Sequence, residues 1–429
     1  MSRVIFGLVA LLGAAVWASA PAPPVFWPPD AFLPVTAERL VALPAAERRA
    51  WSAYLEASGV RIRLLPKRSD REGSPAGPIA GPPKGGRHTR GLRRDAPAAW
   101  YASEEAHTIA DRVVGWQSPA GGWTKGIEYT RPRPPGGEGE DADTWSHGTF
   151  DNDATTAELR FLAQMVAEND AQRTRPWREA LLRGFDYVLA AQYPNGGFPQ
   201  IYPLAGGYHD AITYNDSAMV HALEILRDVA GGRGGFEIVP VARREEAERR
   251  LALGIGCVLA TQIAIPDGRR TAWSQQHDAL TLRPCAARNF EPAAASAMES
   301  AALVELLMSL PHPSPALVRA IDDAMTWLKG VALRDVSWNR EATAGTGLGA
   351  APGAPLLWAR LYEVGSDIPV FGDRDRTIHY TVTELSSERR LGYQWYGAWP
   401  QSTLDAYERW RAGRRRLDQR AGGGGAWPP

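Results

Sequence analysis

Apolar residues recur at helical spacing in three separated parts of the chain, within residues 109–116, 177–188 and 251–258. This spacing puts the apolar side chains on one face and predicts three amphipathic helices. Each pattern ends at a glutamine, and the first two continue as QSPAGGWTK and QYPNGGFPQ, in which paired glycines suit a tight turn. The three glutamines are Gln117, Gln192 and Gln262. The recurrence indicates a repeated unit of helix and turn.

A second helical pattern follows the long loop of each unit, at residues 159–166, 220–226 and 303–310. The units recur at intervals of about 70 residues, which is too long for the common solenoid repeats. Each unit therefore consists of a helix, a glutamine turn, a long loop and another helix. Three such units predict helical hairpins packed in a ring.

The N-terminus has the pattern of a secretory signal peptide. An uninterrupted apolar run at residues 4–16 follows Arg3, and small residues occupy positions 18–20. The run is too short and wrongly flanked for a membrane span, and no later apolar stretch is long enough to cross a bilayer. We predict a signal peptide at residues 1–20 and an exported protein, periplasmic or extracellular after cleavage, with no membrane partner.

Composition divides the rest of the chain into three parts. Residues 21–97 carry one helical pattern and then a stretch rich in Pro, Gly and Arg, which predicts an N-terminal helical segment and a linker outside the catalytic core. Residues 98–410 hold the repeats and form the predicted catalytic domain. Residues 411–429 are basic and rich in glycine, and we expect them to form a solvated tail.

Overall charge excludes little but argues against a nucleic-acid partner. The 429 residues include 48 Lys and Arg against 48 Asp and Glu, so any electrostatic recognition must be local. Sixteen tryptophans and thirteen tyrosines are typical of exported proteins that stack sugars on aromatic rings. The two cysteines, Cys257 and Cys285, either pair in an oxidising compartment or remain buried free thiols. We expect a monomer.

Polar residues precede the second helix of each unit and carry the candidate chemistry. These loop ends are Asp151-Asn152-Asp153, Asn215-Asp216 and Arg288-Asn289-Phe290-Glu291. A carboxylate before a helix can simply be its N-cap, and Thr155 with Glu158 forms a capping-box pattern. Carboxylates at equivalent places in two repeats, with an arginine in the third, are better explained by a shared site at which the loop ends meet.

Paired carboxylates are compatible with two kinds of chemistry. They can be the acid and base of a glycosidase, or they can hold a hard cation such as calcium, which prefers oxygen ligands. Basic residues in the same motifs favour the second chemistry and an anionic substrate, and tryptophans provide stacking faces. The basic residues are Lys125, Arg288, Arg360, Arg374, Arg389 and Arg390, and the tryptophans are Trp123, Trp273, Trp395 and Trp399.

Six motifs, in order, resemble those of the pectate lyases of polysaccharide lyase family ten. They are WQSPAGGWTKGIEY, GTFDNDATTAELRFL, QYPNGGFPQIYPLAGGYHDAITYNDSAMVHAL, WSQQHDALTLRP, FGDRDRTIHY and ERRLGYQWYGAWP. The likeness covers about residues 100–410. It implies an all-α fold, an (α/α)3 toroid of helical hairpins with long loops that form the cleft. It also implies cleavage of α-1,4-polygalacturonate by β-elimination with Ca2+.

The resemblance also implies roles for individual residues. Asp151 and Asp216 match the metal-binding acids and Arg288 matches the catalytic base, with Asp210 as the alternative to Asp216. Asp153 stands where the family commonly has a glycine, a departure that bears on substrate preference more than on the reaction class. The residues expected to bind substrate are Lys125, Asn152, Asn215, Arg360 and Arg374.

Two alternatives from other classes remain open. A uronan-active glycoside hydrolase on the same helical scaffold would need no calcium and would give saturated products. A non-catalytic exported glycan-binding protein would bind glycan through its aromatic loops without converting it. The sequence leaves endo or exo action and tolerance of methyl esters undetermined.

Overall fold

The computed structural model describes residues 25–26, 33–65, 91–132, 147–265 and 268–422. The predicted signal peptide lies outside these residues, as does most of the predicted linker. Within the described part of the chain, no helix combines the length and the apolar character that crossing a membrane requires.

Six of the helices coincide with the six helical patterns of the sequence, α4 to α9. Helices make up about half of the structure. The α-helices of the described residues are α1 (Ala37–Leu40), α2 (Ala45–Ile62), α3 (Ala98–Tyr101), α4 (Glu104–Trp116), α5 (Thr156–Ala167), α6 (Arg175–Ala191), α7 (Ala218–Ala230), α8 (Val241–Thr261), α9 (Ala297–Met308), α10 (Pro315–Gly330), α11 (Ser387–Gly392) and α12 (Pro400–Gly422).

The centre of the molecule is a layer of three helices, in which α7 contacts both α5 and α9. Most of their residues are buried, as expected for helices that are apolar on nearly every face. Outer helices cover them: α4 and α6 pack on α5, α8 packs on α7, and α10 and α12 pack on α9.

The glutamine at the end of each first helix fastens its turn to the next outer helix. The side-chain amide of Gln117 donates to the carbonyl of Gly121 in its own turn, at 2.8 Å, and to that of Ala180 in α6, at 2.9 Å. The equivalent acceptors are Gly196 and Arg250 for Gln192, and Thr271 and Ala320 for Gln262. These bonds explain why the glutamine recurs in all three units.

A glycine in the first two turns allows this close approach. Gly121 and Gly196 have φ values of 106° and 93°, a region that side chains with a β-carbon rarely adopt. A β-carbon at Gly196 would lie 2.3 Å from the carbonyl oxygen of Leu253 in α8, and one at Gly121 would lie 2.8 Å from that of Arg183 in α6. The paired glycines are therefore required by packing as well as by the turn.

The predicted all-α fold, an (α/α)3 toroid, is wrong, because the loops within the described residues carry strands that pair in five small antiparallel sheets. Their orders are β1-β11-β10, β12-β8, β2-β4, β3-β5-β9 and β6-β7. The strands are β1 (Val25–Phe26), β2 (Ile212–Thr213), β3 (Trp273–Ser274), β4 (Gln276–His277), β5 (Ala295–Ser296), β6 (Val336–Trp338), β7 (Leu348–Ala350), β8 (Trp358–Ala359), β9 (Leu361–Tyr362), β10 (Phe371–Gly372), β11 (Thr377–His379) and β12 (Tyr396–Gly397). Buried loops must satisfy their backbone groups, and pairing between loops does so here.

Residues 33–65, hereafter the N-terminal segment, pack on the repeat units. Trp51 and Tyr54 of α2 are buried and belong to the same hydrophobic core as the central helices. Their partners lie in residues 192–216, the long loop between α6 and α7, hereafter the 192–216 loop. The sequence pattern predicted a helix here but gave no sign of this packing.

Both cysteines of the described region are buried free thiols. Burial raises the pKa of Cys257 to about 12 and raises that of Cys285 further. Of the two possibilities that the sequence left open, the structure has the unpaired one.

Candidate active site

The predicted loop ends from all three units meet at one pocket. Six residues predicted for the site line it: Lys125, Asp151, Asn152, Asn215, Asp216 and Arg288. Four further side chains complete the lining: Gln200, Tyr208, Gln276 and Glu291. The pocket therefore contains three carboxylates, two cations and four amides, a strongly polar surface suited to a charged ligand. The individual roles of these residues stay predictions.

The same backbone device delivers the two aspartates. Asp151 begins the short 3-10 helix Asp151–Asp153 before α5, and Asp216 lies within the equivalent Asn215–Ser217 before α7. Each contains a non-glycine residue in the left-handed region, Asn152 at φ 52° and Asp216 at φ 49°. Such conformations cost on the order of 1 kcal/mol and cluster at functional sites. The two units thus share one strained turn, in which Asp151 is the first residue and Asp216 the second.

Helix capping does not explain these positions. Within the described residues, no side chain caps the start of α5 or α7. The Thr155 half of the capping-box pattern is not formed, because the Thr155 hydroxyl accepts from the backbone N–H of Trp123; Glu158 accepts from the Tyr129 hydroxyl. Both side chains serve the packing of the first unit instead.

Asp151 is buried and held by several groups. Its backbone N–H donates to the Thr149 hydroxyl at 3.0 Å, which fixes the start of the turn. The ammonium of Lys125 donates to its Oδ2 at 2.7 Å, and the Asn152 amide donates to the same oxygen at 3.1 Å. The carboxylate of Asp151 is therefore fixed in orientation through one oxygen, at the pocket that it lines together with Asp216.

Asp216 has fewer close polar contacts than Asp151, and its pKa is shifted from the ordinary value. The Asn215 side-chain amide donates to its Oδ2 at 2.8 Å, and the Arg360 guanidinium lies 3.5 Å from its Oδ1. Burial raises the pKa of Asp216; Arg360 opposes this, while the negative charge of Asp151 adds to it. The two carboxylates therefore repel each other across the pocket, which favours a cation between them.

The pocket supplies oxygen donors of the kind that a hard cation takes. Besides the two aspartates, the buried amide oxygens of Gln200 and Gln276 belong to pocket-lining residues and accept no hydrogen bond from any described residue. No group of three or more His, Cys, Asp or Glu side chains among the described residues could hold a metal by itself. The residues fit a cation whose remaining ligands come from amide oxygens, water and a bound substrate.

Arg288 lines the pocket as one half of a bidentate ion pair with Glu291. Its Nε donates to Glu291 Oε2 at 2.7 Å, and its Nη2 donates to Oε1. Burial acts to lower the pKa of Arg288, but the hydrogen bond and charge of Glu291 outweigh it and raise that pKa above its ordinary value. The same pairing lowers the pKa of Glu291 despite its burial. In this state Arg288 is a firmly protonated cation.

Arg360 supports the pocket from behind and is absent from its lining among the described residues. Its side chain is 8% exposed and donates to Glu299 of α9 at 2.8 Å and to the Asn215 side-chain oxygen at 3.2 Å. Its guanidinium also lies over the Tyr393 ring, 4.8 Å from the centroid. The geometry thus gives it contact with the residues that line the pocket rather than an open path to substrate itself.

Arg374 lies with its guanidinium 5.3 Å from the centroid of the Phe290 ring and likewise does not appear in the described lining. Its side chain is 59% exposed and forms a bidentate pair with Glu388, at 3.0 and 3.1 Å. Phe290 is contacted by three guanidinium groups, those of Arg288, Arg374 and Arg389. Arg374 is therefore the exposed end of a cationic strip that begins in the pocket.

Asp210, the alternative second acid, occupies a different place. Its buried carboxylate accepts from the backbone N–H of Val35 at 3.3 Å and from that of Gly206 at 2.9 Å. Burial raises its pKa to about 6. Asp216 faces the pocket and Asp210 faces the N-terminal segment.

The site residues predicted from the sequence did not include Glu291, Tyr208 or the two glutamines of the lining. Gln200 and Gln276 both lie in quoted motifs, the first in the 192–216 loop and the second in β4. Pairing of β2 with β4 brings Gln276 beside Thr213, to which its amide donates at 3.3 Å. The repeat signal could have located Gln200, which follows a glutamine turn at the same distance as Lys125 in the first unit.

Comparison with known proteins places this chain among the polysaccharide lyases. A family 10 polysaccharide lyase from Cellvibrio cellulosa superposes with a TM-score of 0.63 and 29% sequence identity, over 73% of this chain and 96% of that one. An aspartate-to-alanine variant of a family 10 lyase from the same organism, in complex with trigalacturonic acid, gives a TM-score of 0.64 and the same identity, over 73% and 97%.

The family model of pectic acid lyases matches residues 117–404, well over half of the chain. The chain belongs to the pectic acid lyase family, which confirms the resemblance and the predicted enzyme class, a pectate lyase. Among curated proteins, no match is found.

Proposed function

We propose that this enzyme is exported and cleaves α-1,4-polygalacturonate by calcium-assisted β-elimination, releasing unsaturated oligogalacturonides. The observation that carries the proposal is the meeting of Asp151, Asp216 and Arg288, each from a different repeat unit, in one pocket. The relative bound to trigalacturonic acid supports a uronan as substrate. Export rests on the signal-peptide pattern of residues 1–20.

The reaction needs stabilisation of negative charge. Removing the proton on the carbon next to a uronate carboxylate pushes charge onto that carboxylate, while the glycosidic C–O bond breaks and a carbon–carbon double bond forms. Groups placed where this charge develops lower the barrier most. Lys125 lines the pocket as a cation and would bind and orient the substrate carboxylate there.

Asp151 and Asp216 would hold a calcium ion, with the amide oxygens of Gln200 and Gln276 within the same lining. A bound calcium ion would supply a Lewis acid that neutralises the carboxylate of the substrate. Lys125 pairs with Asp151 and Arg360 lies near Asp216, and a bound cation would compensate the remaining repulsion between the two aspartates. Asn152 and Asn215 each donate to the neighbouring aspartate, so they orient the carboxylates and support substrate binding indirectly.

Arg288 is the proposed proton acceptor, and its pairing with Glu291 has a direct consequence. Because that pairing raises the pKa of Arg288, only a small fraction of the enzyme carries the neutral guanidine near pH 7. That fraction grows tenfold for each unit of pH until the pKa is reached. The rate should therefore climb with pH well above neutrality.

One assay tests the function. Purified protein is incubated with polygalacturonate, with and without a calcium chelator, and ultraviolet absorbance of the new double bond is followed. The proposal requires absorbance that the chelator abolishes and added calcium restores. Reducing ends without absorbance would indicate a hydrolase, and binding without either product would indicate a glycan-binding protein.

A further inference from the structure

The N-terminal segment meets the 192–216 loop through a cluster of buried aromatic rings. Trp51 and Tyr54 of α2 contact Tyr193, with ring centroids 4.9 and 5.0 Å apart, and Tyr54 also contacts Tyr202 at 5.9 Å. The Tyr54 hydroxyl donates to the carbonyl of Ala191 at 2.9 Å. Rings of this size supply most of the apolar contact in an interface. The segment is thus packed against the start and middle of the loop.

Polar contacts add to this interface along its whole length. Near the start of the segment, the N–H of Val35 donates to Asp210; near its end, the Ser58 hydroxyl accepts from the N–H of Leu204 at 2.9 Å. Between them, the Arg39 guanidinium donates to Asp278 at 2.7 Å, and the two side chains are only 19% and 9% exposed. These bonds reach the 192–216 loop at two places and the residue that follows β4.

The contacted backbone leads directly to the site. Tyr202 and Gln200 pair with the strand-like residues before Asp151: Tyr202 N–H donates to the carbonyl of Gly148, and Phe150 N–H donates to that of Gln200. Asp278 follows β4, which pairs with β2, three residues before Asp216. The segment therefore contacts backbone that is hydrogen-bonded to the loop ends of both aspartates. It lies outside residues 117–404, the range that the family model matches.

We infer that the N-terminal segment is a positioning element of the active site, which holds the 192–216 loop in the form that presents Asn215 and Asp216 to the pocket. A loop of 25 residues that carries its own binding groups needs an external support to keep them in register. Arg39, Trp51 and Tyr54 are the positioning residues. The inference rests on the proposed function only for the choice of substrate in its kinetic test.

Hydrogen–deuterium exchange on the full-length protein tests it without any substrate. Tyr54→Phe removes one hydroxyl and keeps the ring, and Arg39→Ala removes the ion pair with Asp278. Each should speed exchange of amides at residues 198–216 by about 2- to 10-fold, the effect of losing one net hydrogen bond. Arg48→Ala is the matched control, because the Arg48 guanidinium donates within the segment itself, to the carbonyl of Val41.

A larger truncation supplies the kinetic test. Trp51→Ala should leave part of the molecules with the 192–216 loop out of its binding form. KM for polygalacturonate should then rise several-fold while kcat changes less, because only the molecules whose loop has the binding form take up substrate. Trp51→Phe should restore much of the loss. Should Trp51→Ala fail to fold, Tyr54→Phe and Arg39→Ala decide the question.

Two outcomes would overturn the inference. Faster exchange confined to α2 with an unchanged loop would show that the segment is merely attached. Uniformly faster exchange, in α9 as much as in the loop, would show a general loss of stability. A wild-type protein without lyase activity would refute the proposed function and leave the exchange comparison valid.

Discussion

Glu291→Gln is the sharpest probe of how Arg288 acts. The substitution preserves the shape of a buried side chain while removing the charge that two guanidinium N–H groups and the Tyr393 hydroxyl contact. Arg288 keeps its neighbours, because its guanidinium also lies over the Phe290 ring, 4.8 Å from the centroid. The variant therefore changes the protonation equilibrium of Arg288 more than its position.

The magnitude follows from the geometry of the pair. Two hydrogen bonds between charged groups contribute roughly 1.5–3 kcal/mol each when buried. The Arg288 side chain is 42% exposed, so solvent screens the pair, and a total on the order of 1–2 kcal/mol is realistic. Since 1.4 kcal/mol is about tenfold in an equilibrium constant, the neutral fraction of Arg288 should rise about tenfold.

The assay is kcat/KM for polygalacturonate as a function of pH at saturating calcium. If Arg288 takes the proton, the rising limb of the Glu291→Gln profile should move toward neutral pH, even if its maximum is lower. Arg288→Lys should lose several orders of magnitude in rate while binding changes little. Glu388→Gln, which removes the matching carboxylate from exposed Arg374, should leave the limb in place.

If the rising limb of the pH profile of kcat/KM stays at the same pH in the Glu291→Gln variant, the reasoning is refuted. Arg288 would then act as a permanent cation that stabilises charge, and the base would be another group, with a pocket carboxylate or a bound water as the leading candidate. Comparable activity in the Arg288→Lys variant, or a wild-type profile that peaks in acid, would have the same meaning.

Three further predictions concern the rest of the site. Asp151→Ala and Asp216→Ala should each abolish turnover in the absorbance assay, with partial rescue by excess calcium; near-normal rates in folded variants would end the metal-site proposal. Arg374→Lys should weaken polygalacturonate binding by roughly tenfold in calorimetry, because lysine cannot copy a bidentate contact; tight binding of a neutral glucan would contradict it. Asp153→Asn tests pH-linked stability. Burial alone would raise the pKa of Asp153, but bonds from His221 and Arg94 lower it to about 2. A depressed carboxyl pKa stabilises the fold above the unfolded value, near 4, and the gain disappears as pH falls through about 2. Urea unfolding should therefore show a deficit of about 1 kcal/mol at pH 7 that shrinks at pH 3; a deficit independent of pH would contradict this.

The helices and their order could be predicted from the sequence because helical periodicity is a local signal. Gln117, Gln192 and Gln262 end α4, α6 and α8, as the pattern predicted. The strands were invisible, since most consist of two residues and two residues have no period to detect. Their pairings are set by which loops the helices bring together, and that information is not local.

The site was predictable to the extent that repeats make positions equivalent. Asp151 and Asp216 were found because each lies in the loop end before the second helix of its unit, although they differ by one position within the shared turn, and Arg288 was found in the corresponding loop end of the third unit. Arg360 was predicted to bind substrate. Nothing in its own motif indicates that its side chain is buried and forms an ion pair with Glu299, 61 residues earlier in the sequence. The role of the N-terminal segment was missed for a related reason: composition marks the linker after it, but the aromatic partners of Trp51 lie some 140 residues further on.

The glutamine side chains that join each turn to the following outer helix affect how the molecule unfolds. Each amide donates to a carbonyl 58 or 63 residues ahead, in the first helix of the next unit for Gln117 and Gln192 and in α10, which follows the third unit, for Gln262. Repeat proteins with self-contained units fray from their ends, one unit after another. Here the turn of one unit is completed only by the helix of the next, so the units cannot melt independently. We expect heating to unfold them in a single cooperative transition, and a chain divided between two units to lose the turn that precedes the cut as well.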